Sequence, residues 1–167
     1  MKRGKDVKRV LFVCTDNFTR SVTAEFCLKH FLNKNRIRDV KVESAGFKAD
    51  SDLSKFSTTH FDRLAELGII TSQHSRTPFK QTFLHEYDLI FAMGIEHQDY
   101  LINEYHYRSP LFNEVCLNAS TSIQVPAPGG NEDVEQALRK MVDYIHDHIP
   151  KVYEHIQKKG ENNARKR

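Results

Sequence analysis

No apolar stretch in this 167-residue chain approaches the roughly 20 residues that a membrane span needs. The basic start, Met1-Lys2-Arg3-Gly4-Lys5, is not followed by the apolar region of a secretory signal. The expected location is therefore the cytoplasm, with export by a signal-independent route left open. Cysteine is scarce: Cys14, Cys27 and Cys116 make no disulfide framework and have no metal-ligand spacing. No internal repeat and no second domain are visible, and the length suits a single sizeable core.

Charge is nearly balanced at +3 but uneven along the chain. Lys2, Arg3, Lys5, Lys8 and Arg9 against Asp6 leave +4 at the start, and Lys158, Lys159, Arg165, Lys166 and Arg167 against Glu161 leave +4 at the end. The body then carries about −5 by the same formal count. Such ends are read as solvated tails rather than as nucleic-acid or membrane contacts. Residues 1–6 form a basic extension, 7–157 one folded domain, and 158–167 a basic tail expected to be disordered.

Val7 to Val13 is apolar, short and rich in β-branched residues, as a buried parallel strand should be. Further strands are expected over Val40–Ser44, over Tyr87–Met93 and within Leu111–Leu117. Helices are expected over Ser21–Asn33, around Asp62–Leu67 with a stop at Gly68, and over Glu96–Asn103. The clearest amphipathic stripe is Val134, Leu138, Met141, Ile145, Ile149, Val152 and Ile156 on a last helix that Asn131 can cap. Pro150 should bend that helix or split it. Alternating strands and helices predict an α/β, three-layer fold with a four-stranded parallel sheet and helices on both faces. Ligands bind at the carboxyl ends of such strands, and a phosphate-binding loop is expected after strand 1.

That end carries the chemistry. Val10-Leu11-Phe12-Val13 delivers Cys14, and Arg20 and Ser21 follow ahead of a helix. The loop Thr15, Asp16, Asn17, Phe18, Thr19 can aim backbone N–H groups at an anion, and the helix adds its positive end. Both favour a thiolate at Cys14. The planar fork of Arg20 can hold two phosphate oxygens, and Ser21 can donate a hydroxyl to the sulfur. Asn17 suits a left-handed backbone position and can brace the loop with its amide. Phe18 reads as a pocket wall suited to an aromatic ester, Cys27 as structural, and Cys116 as an inert residue of the fourth strand. His74 is read as a structural hydrogen-bonding residue, and His146 and His148 as surface residues of the last helix.

These residues resemble the low-molecular-weight protein tyrosine phosphatase family, whose opening motif is Cys-x-x-Asn-x-x-Arg-Ser followed by Ala-Glu. Cys14, Asn17, Arg20-Ser21 and Ala24-Glu25 carry the likeness. It continues through Glu43-Ser44-Ala45-Gly46, Leu67-Gly68-Ile69, His74-Ser75-Arg76, Tyr87 to Met93 and Val125-Pro126-Ala127-Pro128, over roughly residues 8 to 157. The resemblance implies hydrolysis of phosphomonoesters, with protein phosphotyrosine the expected substrate, through a phosphocysteine on Cys14. It implies no cofactor, no metal and a monomer; the partners would be a phosphorylated protein or a small aryl phosphate.

Departures from the family pattern are equally specific. The aspartate that protonates the leaving oxygen belongs to an Asp-Pro pair, and here the pair is Ala127-Pro128. General acid catalysis is typically worth about 10²–10⁴-fold, so impaired turnover is expected. Asp16 stands where a small residue is usual, Gly94 where Asp is common after Met93, and Thr19 where many members carry a second cysteine. Arginine-phosphatase relatives have Thr at the place of Phe18. A binding module with little turnover is the alternative function. Arsenate reduction needs two further cysteines close together in a mobile segment, and Cys27 and Cys116 do not provide them.

Overall fold

The structure is a computed structural model that describes residues 7–52, 55–126 and 133–165, with backbone alone from residue 161. Strand β1 (Lys8–Cys14) is apolar from Val10 to Val13, and those four side chains are fully buried. Such a run can only be a central strand with both faces covered. Parallel neighbours flank it: β2 (Val40–Gly46) pairs Val42 with Val10 and Gly46 with Cys14, and β3 (Leu89–Ala92) pairs Phe91 with Phe12. Side chains alternate across the pleat. Val10 and Phe12 face a core shared with helices α1 (Arg20–Lys34) and α6 (Val134–Arg165), and Phe12 stacks on Phe91 at 5.3 Å. Leu11 and Val13 face a smaller core with Phe83 and Leu101. Helices α3 (Phe83–Glu86) and α4 (Ile95–Tyr105) supply those two residues, so helices cover both sheet faces as expected.

The sheet has three parallel strands in the order β2-β1-β3 among the described residues, not four. The expected fourth strand is an isolated bridge between Ala92 and Leu111 followed by helix α5 (Phe112–Leu117). The physical reason is local. Glu114 accepts the Leu111 N–H through Oε1 at 2.7 Å, a side-chain cap that starts a helix. Phe112 and Cys116, four apart, are then buried together. Cys116 is thus helical, not part of a strand.

Helix α2 (Thr59–Glu66) ends before Gly68, whose φ of +82° is the left-handed stop expected there. Helix α6 runs through Pro150 without splitting and continues to Arg165, so residues 158–165 are helical where the sequence suggested disorder. An interior proline costs about 3 kcal/mol. Val152 and Ile156 beyond it are fully buried, and each such side chain contributes roughly 1.5–3 kcal/mol, which offsets the proline. The capping role expected for Asn131 lies outside the described residues.

Candidate active site

β1 ends at Cys14, and the chain turns through residues 15–19 into α1. The turn is possible because Asn17 adopts φ 53°, and because Gly46 lies beneath it. A Cβ on Gly46 would sit 2.7 Å from both Asn17 N and Thr15 O. The Asn17 amide then fixes the turn. Its Oδ1 accepts the Thr77 N–H at 2.8 Å, which sets the amide orientation, and Nδ2 donates to Ser21 Oγ at 2.9 Å and Ser44 Oγ at 2.8 Å.

A directed chain of hydrogen bonds follows. Ser44 donates to the buried Glu25 carboxylate at 2.5 Å, so its lone pair is free to accept from Asn17. Ser21 likewise accepts from Asn17, which leaves its proton for the Cys14 sulfur 3.0 Å away. The Ser21 hydroxyl thus sits within hydrogen-bond reach of Cys14 Sγ.

The loop carbonyls are all engaged, those of residues 14–18 by groups from outside the loop and that of Thr19 by the first turn of α1. Cys14 O and Thr15 O accept from the N–H groups of Phe47 and Lys48 at 3.1 and 2.6 Å. Asp16 O accepts from Arg76 Nε at 2.9 Å, Asn17 O from His74 Nε2 at 3.2 Å, and Phe18 O from His60 Nε2 at 2.8 Å. Thr19 O accepts the Thr23 N–H and hydroxyl. In a trans peptide the carbonyl and the following N–H point opposite ways. Carbonyls turned outward therefore turn N–H groups inward, and those of Thr15, Asn17, Phe18 and Thr19 have no acceptor among the described residues. A concave set of donors at a helix N-terminus is an anion cradle.

Arg20 closes the cradle. Its Nη1 donates to Glu96 Oε2 at 3.2 Å and to Ile123 O at 3.1 Å, and Nη2 lies 3.5 Å from His97 Nε2. The Nε–Nη2 edge remains to grip an anion. His97 Nε2 also meets Thr15 Oγ1 at 3.0 Å. Burial and the adjacent Arg20 push the His97 imidazole well below its ordinary value, so the ring is neutral near pH 7. Facing a guanidinium, Nε2 must accept, which places the proton on Nδ1. Burial alone would raise the Glu96 carboxyl, but its own backbone N–H, His97 and Arg20 together hold it lower.

Phe18 packs edge-on against His60 and Phe61 at 5.2 and 5.4 Å and is 9% exposed. With Lys55, Thr71 and Arg76 it lines an open cavity of about 410 Å³, so it is a wall residue with a mostly covered ring. Asp16 and Thr19 are buried within the loop. Cys27 and Cys116 are buried, and burial pushes both thiols up to about 12. His146 and His148 lie at the surface of α6 as expected, the His146 side chain 38% exposed and His148 partly covered, with His148 Nδ1 2.7 Å from Tyr144 O. Ala127 lies outside the described residues.

Sequence reasoning missed Glu96, His97 and His60. For the first two a signal existed: they follow β3, which ends on the same sheet edge as Cys14. His60 had none, because its bond to Phe18 O spans 42 residues.

The fold has well-covered relatives of known structure. A low molecular weight protein tyrosine phosphatase from T. tengcongensis is 26% identical, with 88% of this chain and 98% of that one aligned at a TM-score of 0.74. The YwlE arginine phosphatase from Geobacillus stearothermophilus is 24% identical, with 93% and 96% aligned at 0.74. YfkJ from Bacillus subtilis is 22% identical, with 93% and 98% aligned at 0.75. No curated protein sequence matches the chain. The family model described as low molecular weight phosphotyrosine protein phosphatase matches residues 9–162. With that match spanning nearly the whole chain, and a Cys14–Arg20 anion cradle after β1, this protein belongs to the low molecular weight phosphotyrosine protein phosphatase family.

Proposed function

We propose that this protein hydrolyses phosphomonoesters, with protein phosphotyrosine its substrate, through a phosphocysteine on Cys14. The observation that carries the reading is the loop whose carbonyls are all held outward around a sulfur 3.0 Å from the Ser21 hydroxyl. The N–H groups of Thr15, Asn17, Phe18 and Thr19 and the Nε–Nη2 edge of Arg20 bind the phosphoryl oxygens. Cys14 Sγ attacks phosphorus as the bond to the ester oxygen breaks, and that oxygen leaves with the electron pair. Water then attacks phosphorus, the P–S bond breaks, and the thiolate returns, stabilised by the Ser21 proton. Phe18 supplies an aromatic wall, which suits an aryl ester better than the guanidino substrate of an arginine phosphatase.

Ala127 takes the place of the family's general acid, and the leaving oxygen must depart without a proton from that position. A nitrophenolate does so readily, whereas tyrosinate, with a pKa near 10, does so poorly. Nitrophenyl phosphate should therefore be the better substrate. Ala127→Asp should raise turnover by about 10²–10⁴-fold, with the larger gain on a phosphotyrosine peptide. Cys14→Ser should remove turnover from both. Brisk phosphotyrosine turnover that Ala127→Asp leaves unchanged would overturn the role given to position 127 and turn attention to Asp16, Glu132 and Asp133, the nearest other carboxylates by sequence that could serve as the acid. Tight phosphate binding without turnover in either protein would favour the second reading that Ala127 supports, a phosphoprotein-binding module.

A further inference from the structure

His60 is an odd choice for its place. It is completely buried on the first turn of α2, and its ring lies against those of Phe18 and Phe61, at 5.2 and 4.0 Å. A hydrophobic side chain would satisfy that packing without difficulty. The imidazole instead brings a nitrogen, Nδ1, that finds no partner among the described residues. Burying an unpaired acceptor is unfavourable, so the ring must be retained for what its other nitrogen does.

That nitrogen, Nε2, lies 2.8 Å from Phe18 O. A carbonyl can only accept, so Nε2 carries the proton and Nδ1 is the bare acceptor. Phe18 and Thr19 share one trans peptide. When its carbonyl is held toward α2, its N–H is held toward the cradle, and Thr19 N–H has no other acceptor among the described residues. His74 and Arg76 do the same for the two preceding carbonyls from a loop, whereas His60 does it from a helix. Ion pairs of Arg63 with Asp143 and of Arg139 with Glu66 fasten that helix to α6.

We infer that His60 is a positioning residue of the anion site, holding the Phe18–Thr19 peptide so that Thr19 N–H faces the bound phosphoryl group. The inference rests on the phosphatase reading above, since it needs an oxyanion in the cradle.

The test compares His60→Leu, which keeps the bulk and loses the donor, with His60→Gln, which keeps a donor. Inorganic phosphate is the probe, titrated by calorimetry at a temperature where thermal scans show each variant folded. His60→Leu should weaken phosphate binding by about 10- to 100-fold, the loss expected for a hydrogen bond to a charged group. His60→Gln should stay within about threefold of the unaltered protein. For nitrophenyl phosphate, KM should rise in step with the phosphate Kd. A residue with a merely structural role would lower Tm and leave the phosphate Kd of the folded protein alone. Wild-type affinity in folded His60→Leu, or equal losses in both variants, overturns the inference. If His60→Leu does not fold, NMR of the unaltered protein decides: Thr19 N–H should move downfield on phosphate addition, and an unresponsive Thr19 beside responsive neighbours overturns it. Absence of phosphate binding by the unaltered protein would instead overturn the phosphatase reading itself.

Discussion

Glu96 Oε2 stands 3.2 Å from Nη1 of Arg20, and this contact occupies one arm of the guanidinium so that its other edge can serve an anion. The carboxylate comes from the first turn of α4, two residues after the Gly94 cap. The Glu96 side chain is 55% exposed, so the pair adds little to stability, about 1 kcal/mol or less. Its effect belongs to orientation. Glu96→Gln should raise KM for nitrophenyl phosphate by roughly 3- to 10-fold while shifting the unfolding free energy by less than about 1 kcal/mol. Steady-state kinetics beside a urea titration measure both.

Stability should fall with acid in a window set by His60. Burial lowers its imidazole from 6.5 to about 4, with the neighbouring His74 lowering it further and the Phe18 carbonyl and Asp62 opposing. Above pH 6.5 the ring is neutral in both the folded and unfolded states. Between 6.5 and about 4 only the unfolded chain takes up the proton, so stability drops as pH falls through that range. The loss is on the order of 3 kcal/mol in full. Urea unfolding at pH 7 and pH 4.5 should show a smaller acid loss in His60→Gln than in the unaltered protein; parallel curves would sink the assignment.

Thiol chemistry should single out Cys14. All three cysteines are buried; burial pushes the Cys27 and Cys116 thiols up to about 12, whereas Cys14 lies within a set of inward donors. Iodoacetate near neutral pH should carboxymethylate Cys14 alone, and phosphate should protect it. Peptide mass spectrometry reads the sites, and modification of Cys27 at a matching rate would contradict the account.

Pro150 offers a gain. It has no N–H to give to the carbonyl four residues back, yet helix continues on both sides. Pro150→Ala should stabilise the protein by about 1–3 kcal/mol, seen as a higher urea midpoint at unchanged slope.

Much of this was legible in the sequence. The apolar run Val10–Val13 marked a doubly covered strand, and the Cys14–Ser21 order marked the loop between β1 and α1, because both signals are local. Leu111–Leu117 misled because a short apolar run fits strand and helix alike, and the deciding contact is the Glu114 cap. Pro150 misled in part because tertiary burial of Val152 and Ile156 outweighs a local preference. His60, Glu96 and Ile123 act through bonds spanning 42, 76 and 103 residues, which no local pattern announces.

The outward fastening of each carbonyl from Cys14 to Thr19 has a dynamic meaning. The electric field that attracts a dianion is built in before any ligand arrives, because the dipoles creating it are pinned by groups on three sides. Binding then requires little reorganisation of the backbone. The ordering entropy of the loop is met during folding instead, so the phosphate affinity of the proposed site would be a property of the folded scaffold rather than of a ligand-driven closure.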